Sequence, residues 1–243
     1  MTQNKSSSYP LNKSLPLLSV ILSVRNGYPF ISNSINSILN QTFKDFEFII
    51  IDDGSTDESR KIIVQFAERD ERIIPIFQEH SGLTKALNRG VKMAQGTYIA
   101  RQDADDTSLP NRFEKQLPWL ENKHYDLCCC RSISVAKNRP IPRRILLYLP
   151  RLTLLRYLNP YIHGSFIIRK SILDQIGGYD ESYTYAQDYK LIYDLYSTNS
   201  QIKYLAQPLY CTNYYDTSIK MVHNHEQRTA ARRAKQLFRN IKK

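Results

Sequence analysis

Two hydrophobic rhythms alternate along the first hundred residues. Residues 17–24 form a continuous strand-like run, apolar but for Ser19 and Ser23, and Pro29 then suits the first turn of a helix. Ile31, Ile35, Ile38 and Leu39 form an apolar stripe at helical spacing. Residues 46–51 are apolar except for Glu47, the pattern of a strand buried on both faces. Ser55 or Thr56 is placed to cap a helix whose Ile62, Ile63 and Phe66 face inward. A strand at 73–77, a helix at 83–94, Gly96 as a breaker and a strand at 97–100 repeat the unit. Strand–helix alternation with short connections predicts a doubly wound α/β sheet, mostly parallel.

The later pattern is less regular. Pro110 opens a helix expected to reach about Leu120, and the run DLCCCRSISV follows as a buried strand. Residues 138–160 hold four prolines and five arginines in a Leu-rich stretch. A short strand at 164–168 and helices at 170–176 and 188–196 complete the predicted elements. Residues 1–16 read as a flexible leader and 17–210 as one domain, with a nucleotide-binding half at 17–106 and an acceptor half at 107–210. Residues 211–243 read as a basic helical tail.

Within that tail Ala230, Ala231, Ala234, Leu237, Phe238 and Ile241 share one helical face. Such a helix either lies on an anionic membrane surface through residues 224–243 or packs that face on its own core.

Composition narrows the class. With 42% hydrophobic residues the chain can bury a sizeable core, so it is not a disordered binder. A net charge of +11 points to an anionic partner, whether nucleic acid, acidic lipid or a phosphorylated substrate, or marks a merely soluble basic protein. The four cysteines lack metal-ligand spacing, and Cys128, Cys129 and Cys130 act as small apolar side chains in a strand. Reduced thiols fit a cytoplasmic setting. Residues 1–16 lack the apolar centre of a signal peptide. The apolar stretch 145–158 is too short for a bilayer span and contains Pro150, Arg151 and Arg156.

Three acidic positions carry candidate chemistry. Asp52-Asp53-Gly54-Ser55 ends a buried strand, where a carboxylate can accept hydrogen bonds from a base or ribose, or simply form an Asp-Gly turn. Asp103-Ala104-Asp105-Asp106 ends the next parallel strand. Carboxylates spaced i, i+2 there can share a hard divalent cation, or cap the helix ahead. Asp188 heads a helix, where the dipole would keep it ionised as a general base, although an ordinary helix-start Asp fits as well. His163 can touch phosphate or metal, or serve a structural role, and His80 at a strand end has less claim.

Together the blocks SVILSVRNG…SINSILNQTFKDFEFIIIDDGSTD, SGLTKALNRGVKMAQGTYIARQDADD, SLPNRFEKQLPWL and HGSFIIRKSILDQIGGYDESYTYAQDYKLIYDL resemble the family 2 glycosyltransferases, inverting enzymes of the GT-A fold. The resemblance implies that Ser23 and Arg25 border the nucleotide, with Arg25 replacing a common aromatic. It implies that Asp53 binds the uracil of a UDP-sugar, that Asp103 lies near ribose and metal, and that Asp105 ligates Mn2+ or Mg2+. Asp188 matches the catalytic base, with Gln187 where Glu often precedes it. The Gln-x-x-Arg-Trp signature of processive synthases is absent, since Trp119 is the only tryptophan. The implied activity is transfer of one sugar from a nucleotide sugar to a saccharide or lipid-linked saccharide, by a cytoplasmic enzyme peripheral to the inner face of the membrane. A sugar nucleotidyltransferase and a basic nucleic-acid-binding module are the rivals. The first would need a Gly- and basic-rich loop in place of SVRNGYP, and the second lacks zinc spacing or an RNA-binding aromatic signature.

Overall fold

The computed structural model describes residues 15–213 and 224–240. Its first half is the predicted alternation: β1 (Leu18–Val24), α1 (Ile31–Leu39), β2 (Phe46–Asp53), α2 (Ser59–Ala67), β3 (Ile73–Gln78), α3 (Leu83–Met93) and β4 (Tyr98–Asp103). These four strands lie parallel in the order β3-β2-β1-β4. Period-2 alternation assigns each face its own helices. Leu18, Val20 and Leu22 of β1 join Phe48 and Ile50 of β2 under α1, α2 and α4 (Arg112–Glu121). On the other face Ile21, Ile49 and Ile51 meet α3, α6 (Lys170–Gln175) and α7 (Gln187–Ser197). The result is a sheet covered by helices on both sides, the mixed α/β architecture expected.

Beyond β4 the sheet turns mixed. β8 (Ile167–Arg169) runs antiparallel to both β4 and β6 (Leu127–Ser134), and β6 runs parallel to β9 (Ile202–Thr212). The two-residue β5 (Thr107–Ser108) closes the far edge against β9, and β7 (Arg139–Ile141) pairs with β6. The expected strand at 164–168 is displaced because 3-10 turn His163–Ser165 takes its first residues. The three adjacent cysteines are fully buried in β6, and burial pushes the Cys128 thiol up to about 12, so they serve as apolar packing.

Several local expectations change. Neither Ser55 nor Thr56 caps α2; Asp57 does, its Oδ1 accepting the Ser59 amide at 3.0 Å. Pro110 precedes α4 by two residues, because the chain first closes a turn from the Arg112 amide to the Leu109 carbonyl. Gly96 is required by contact more than by helix breaking: a Cβ there would lie 2.6 Å from the Ser19 nitrogen.

The 210/211 boundary falls inside β9, whose Cys211 pairs with both Thr107 and Ile133. Likewise the pairing of β4 with β8 joins the two expected halves in one sheet. The C-terminal helix α8 (Asn224–Asn240) packs on α7, with Ala234 and Phe238 buried. The Phe238 ring sits 5.6, 5.5 and 6.3 Å from those of Tyr189, Tyr193 and Tyr196. Of the two uses open to that apolar face, the described part takes the core; Ile241 lies outside the described residues, as does the leader up to residue 14. Among the described residues no helix is long and apolar enough to cross a membrane.

Phe238→Ala should lower unfolding stability by about 3–5 kcal/mol, the cost of emptying a buried aromatic site. Urea denaturation measures it, and an unchanged midpoint would detach α8 from the core.

Candidate active site

The carboxyl ends of β1, β2 and β4 form one edge. Register places buried Ser23 beside Asp103, and Asp52 beside Val24. The β1–α1 and β2–α2 loops are laced together here, with the Asn26 amide donating to Ser55 Oγ at 3.0 Å and the Thr56 amide to Asn26 Oδ1 at 2.8 Å.

Asp53 ends β2 almost wholly buried. Its Oδ1 accepts from Gln78 Nε2 (2.7 Å), the Ser81 amide (2.8 Å) and Ser81 Oγ (3.1 Å). Its Oδ2 faces His80 Nδ1 (2.9 Å) and accepts the Gly82 amide (2.9 Å). Burial alone would raise this carboxyl, yet these donors outweigh it and hold it below the ordinary carboxylate value. A carboxylate has about four acceptor positions, so Asp53 is saturated by the loop at 78–82. In this structure it shapes that loop and leaves no lone pair over for a base. Arg25 Nη1 lies 3.2 Å from His80 Nε2. His80 thus stands between Asp53 and the exposed Arg25.

Asp103, Asp105 and Asp106 crowd the end of β4. Arg101, buried within the strand, holds Asp103 Oδ1 at 2.5 Å through Nη2 and binds the Ile21 and Gln102 carbonyls through Nη1, both at 2.9 Å. The Asp103 amide donates to Tyr210 Oη at 3.1 Å. Asp105 is pushed up to about 6 by burial and by the Asp103 charge. Burial and the same neighbours raise Asp106 as well, although its Oδ1 accepts the Asn213 amide at 2.8 Å. Negative charge here exceeds what Arg101 offsets, and a hard divalent cation fits that deficit. No group of three or more ligating side chains is assembled among the described residues. A cation held by Asp103 and Asp105 would take its remaining ligands from a bound molecule.

Asp188 occupies the first turn of α7, where Asn159 Nδ2 donates to its Oδ2 at 2.8 Å. The expectation that the helix N-terminus leaves it near its ordinary pKa is corrected. Burial raises this carboxyl, and the backbone amides and Asn159 only partly offset that. The Asp103 charge contributes to the rise, so the end of β4 and the head of α7 share one electrostatic field.

His163 stands apart from this set. Its Nε2 lies 2.9 Å from Tyr179 Oη, its ring packs edge-on to Phe166 and Tyr179, and burial with the nearby Arg101 keeps it neutral. Gly164 beside it is needed for close approach: a Cβ would strike the Tyr210 hydroxyl and sit 2.6 Å from Asp103 Oδ2.

Sequence reasoning passed over Arg101, Asn159, Tyr210 and Arg112. Arg112 is fully buried, and its Nη2 donates to the Arg101 carbonyl at 2.9 Å. Arg101 had a signal, a lone cation inside an apolar strand, since a buried charge needs a partner. Asn159 and Tyr210 reach the site only through long-range folding and left none.

The profile of glycosyl transferase family 2 matches residues 19–178. The chain belongs to that family. Asp188, Tyr210 and α8 lie beyond the matched stretch. An uncharacterized glycosyltransferase of Rickettsia prowazekii is 34% identical over 195 residues, covering 76% of this chain and 60% of its own length. One of Haemophilus influenzae is 31% identical over 237 residues, 90% of this chain and 72% of its own. The chain thus spans about 60% of the Rickettsia relative. Among solved structures, S. aureus TarS 1-349 in complex with UDP-GlcNAc superposes with a TM-score of 0.70 at 22% identity, over 83% of this chain and 59% of that one. The mannosyltransferase PcManGT from Pyrobaculum calidifontis, in complex with GDP-Man and Mn2+, gives 0.67 at 20% identity, over 82% and 57%. At these identities the structures show the shared GT-A-type fold.

Asp53 yields a pH prediction. Its folded pKa lies below the unfolded value of about 3.9, so its stabilisation is complete above that value and fades as pH falls through the folded pKa. Unfolding midpoints of wild type and Asp53→Asn, followed from pH 7 downward, should differ most near neutrality and converge in acid.

Proposed function

We propose that this family member transfers a single sugar, with inversion, from a nucleoside-diphosphate sugar, UDP-linked, to a hydroxyl of a saccharide or lipid-linked saccharide, assisted by Mn2+ or Mg2+. The observation carrying this reading is that the Asp103 charge at the carboxyl end of β4 reaches buried Asp188 at the head of α7. In this reading one carboxylate takes a proton while two others hold a cation and diphosphate.

The nucleotide is assigned to the edge between Ser23, Arg25 and the loop clasped by Asp53. With Asp53 saturated, base recognition falls to the Arg25 guanidinium plane and backbone groups of residues 80–82. Asp105, with Asp103, is the proposed cation holder. A bound cation there supplies charge neutralisation for the departing diphosphate. Asp188 accepts the proton of the acceptor hydroxyl while that oxygen bonds to the anomeric carbon. The bond from carbon to the diphosphate oxygen breaks with its electron pair, on the opposite face. One displacement inverts the centre without a sugar–enzyme bond. A raised pKa makes Asp188 a stronger base than an exposed aspartate, and Asn159 orients its carboxylate.

A UDP-release screen across UDP-sugars, with and without Mn2+, tests the reading. Release that EDTA abolishes is expected, and Asp105→Ala should remove most of it; full activity of that variant in EDTA would defeat the cation assignment. Release of pyrophosphate instead of UDP would move the chain to nucleotidyl transfer.

Asp188→Asn should cut turnover by about 10²–10⁴-fold with donor binding retained. The base must be ionised, so wild-type kcat/KM should fall with acid through a pKa above the ordinary carboxylate range. An unperturbed limb, or near-normal turnover in the variant, counts against Asp188.

A further inference from the structure

The chain's positive charge is unevenly placed. From Leu127 to Leu173 there are nine Lys or Arg and no Asp or Glu. The same stretch exposes large apolar side chains: Val135 at 58%, Ile145 at 66%, Tyr148 at 72% and Tyr157 at 68%, with Leu149 also exposed. Ile145 and Tyr148 stand at i and i+3 of the 3-10 turn Arg144–Leu147 and its C-cap, which places them on one side, and exposed Leu149 follows directly. Arg143 and Arg144 adjoin them, both exposed.

This turn is held in place from both ends. Arg131 Nε donates to the Pro142 carbonyl at 3.1 Å and Arg151 Nη1 to that of Leu146 at 3.4 Å. Behind it α5 (Arg151–Leu155) buries Leu154 and Leu155, and the Leu155 carbonyl accepts the Tyr189 hydroxyl at 2.6 Å. Four residues further on, Asn159 grips Asp188. The apolar and cationic turn is therefore rigidly joined to the head of α7.

We propose that residues 143–149, with Tyr157, form a docking surface for an anionic phospholipid bilayer. Interleaved apolar, tyrosine and arginine side chains suit the boundary between headgroups and acyl chains, where aromatic rings anchor and guanidinium groups meet lipid phosphates. Nucleic acid would use the arginines but leave Ile145 and Leu149 facing water. The C-terminal helix, by contrast, has spent its apolar face on Tyr189, Tyr193 and Tyr196. The surface is linked to Asp188 through α5 and Asn159, so, resting on the transferase reading above, the acceptor hydroxyl is one presented at a membrane by a lipid-linked saccharide.

Vesicle sedimentation of the full chain tests the docking surface. Wild type should pellet with phosphatidylcholine vesicles containing phosphatidylglycerol and stay in solution with phosphatidylcholine alone. Rising salt should weaken the binding. Arg143→Gln with Arg144→Gln should weaken it roughly tenfold or more, since each basic residue near an anionic surface contributes about fivefold. Ile145→Ser with Tyr148→Ser and Leu149→Ser should do likewise. Arg228→Gln with Arg232→Gln, on the exposed side of α8, should change it less than about twofold. Thermal unfolding of each variant verifies its fold. Undiminished binding by both turn variants, loss in the α8 variant instead, or capture of single-stranded RNA with vesicles ignored would each overturn the proposal. UDP release is assayed without vesicles, so its failure removes the transferase reading and leaves the docking result standing.

Discussion

Like-charge repulsion at the end of β4 is the constraint around which this molecule is arranged. Asp103, Asp105 and Asp106 lie within four consecutive residues, where burial and the neighbouring carboxylates make Asp105 and Asp106 costlier to ionise. One buried cation, Arg101, answers them from inside the strand. It is fixed in turn by carbonyls of β1 and β4, while Arg112 ties the Arg101 carbonyl to that of Phe166. Two buried guanidiniums thus join three strands to one acidic turn. A fold optimised for stability alone would replace such a cluster with apolar side chains, because buried ionic groups seldom repay their desolvation. Its presence at a sheet edge is the mark of a site.

Both acidic strand ends obey this rule in opposite ways. Asp53 receives five hydrogen bonds and is kept charged at little cost, which makes it a structural anchor for the loop at 78–82. Asp105 receives no comparable set and is raised. The sequence pattern Asp-Asp-Gly resembles Asp-Ala-Asp-Asp in kind, but the partners separate them. A carboxylate saturated by the protein positions other groups; an undersatisfied one awaits a ligand.

This explains what could be read in advance. β1, β2 and α3 were legible because their apolar periods are local and long. β9 was not, despite its eleven residues, next to the edge strand β5. Pro208 interrupts it, and its register against β6 shifts around Arg131, so the alternation that betrays a strand is broken. Site residues followed the same division. Asp53, Asp103, Asp105 and Asp188 lie at element ends, and element ends can be located from sequence. His80, Asn159 and Tyr210 matter through partners 27, 29 and 107 residues away, and no local pattern encodes a distant partner.

Charge also works at two ranges. The whole chain is strongly cationic, which draws an anionic donor inward through water, while the sheet edge it must reach is acidic. Long-range attraction alone would bring phosphates to the arginine-rich stretch at 127–173, away from Asp103 and Asp105. A divalent cation held there, as proposed, would reverse the sign of the acidic edge, and a close ion pair is screened less than a surface arginine. The proposed donor and the proposed bilayer are both anionic and need not compete. The acidic edge would favour a ligand that reaches such a cation with its own oxygens, and the exposed turn would favour one that also covers Ile145 and Tyr148.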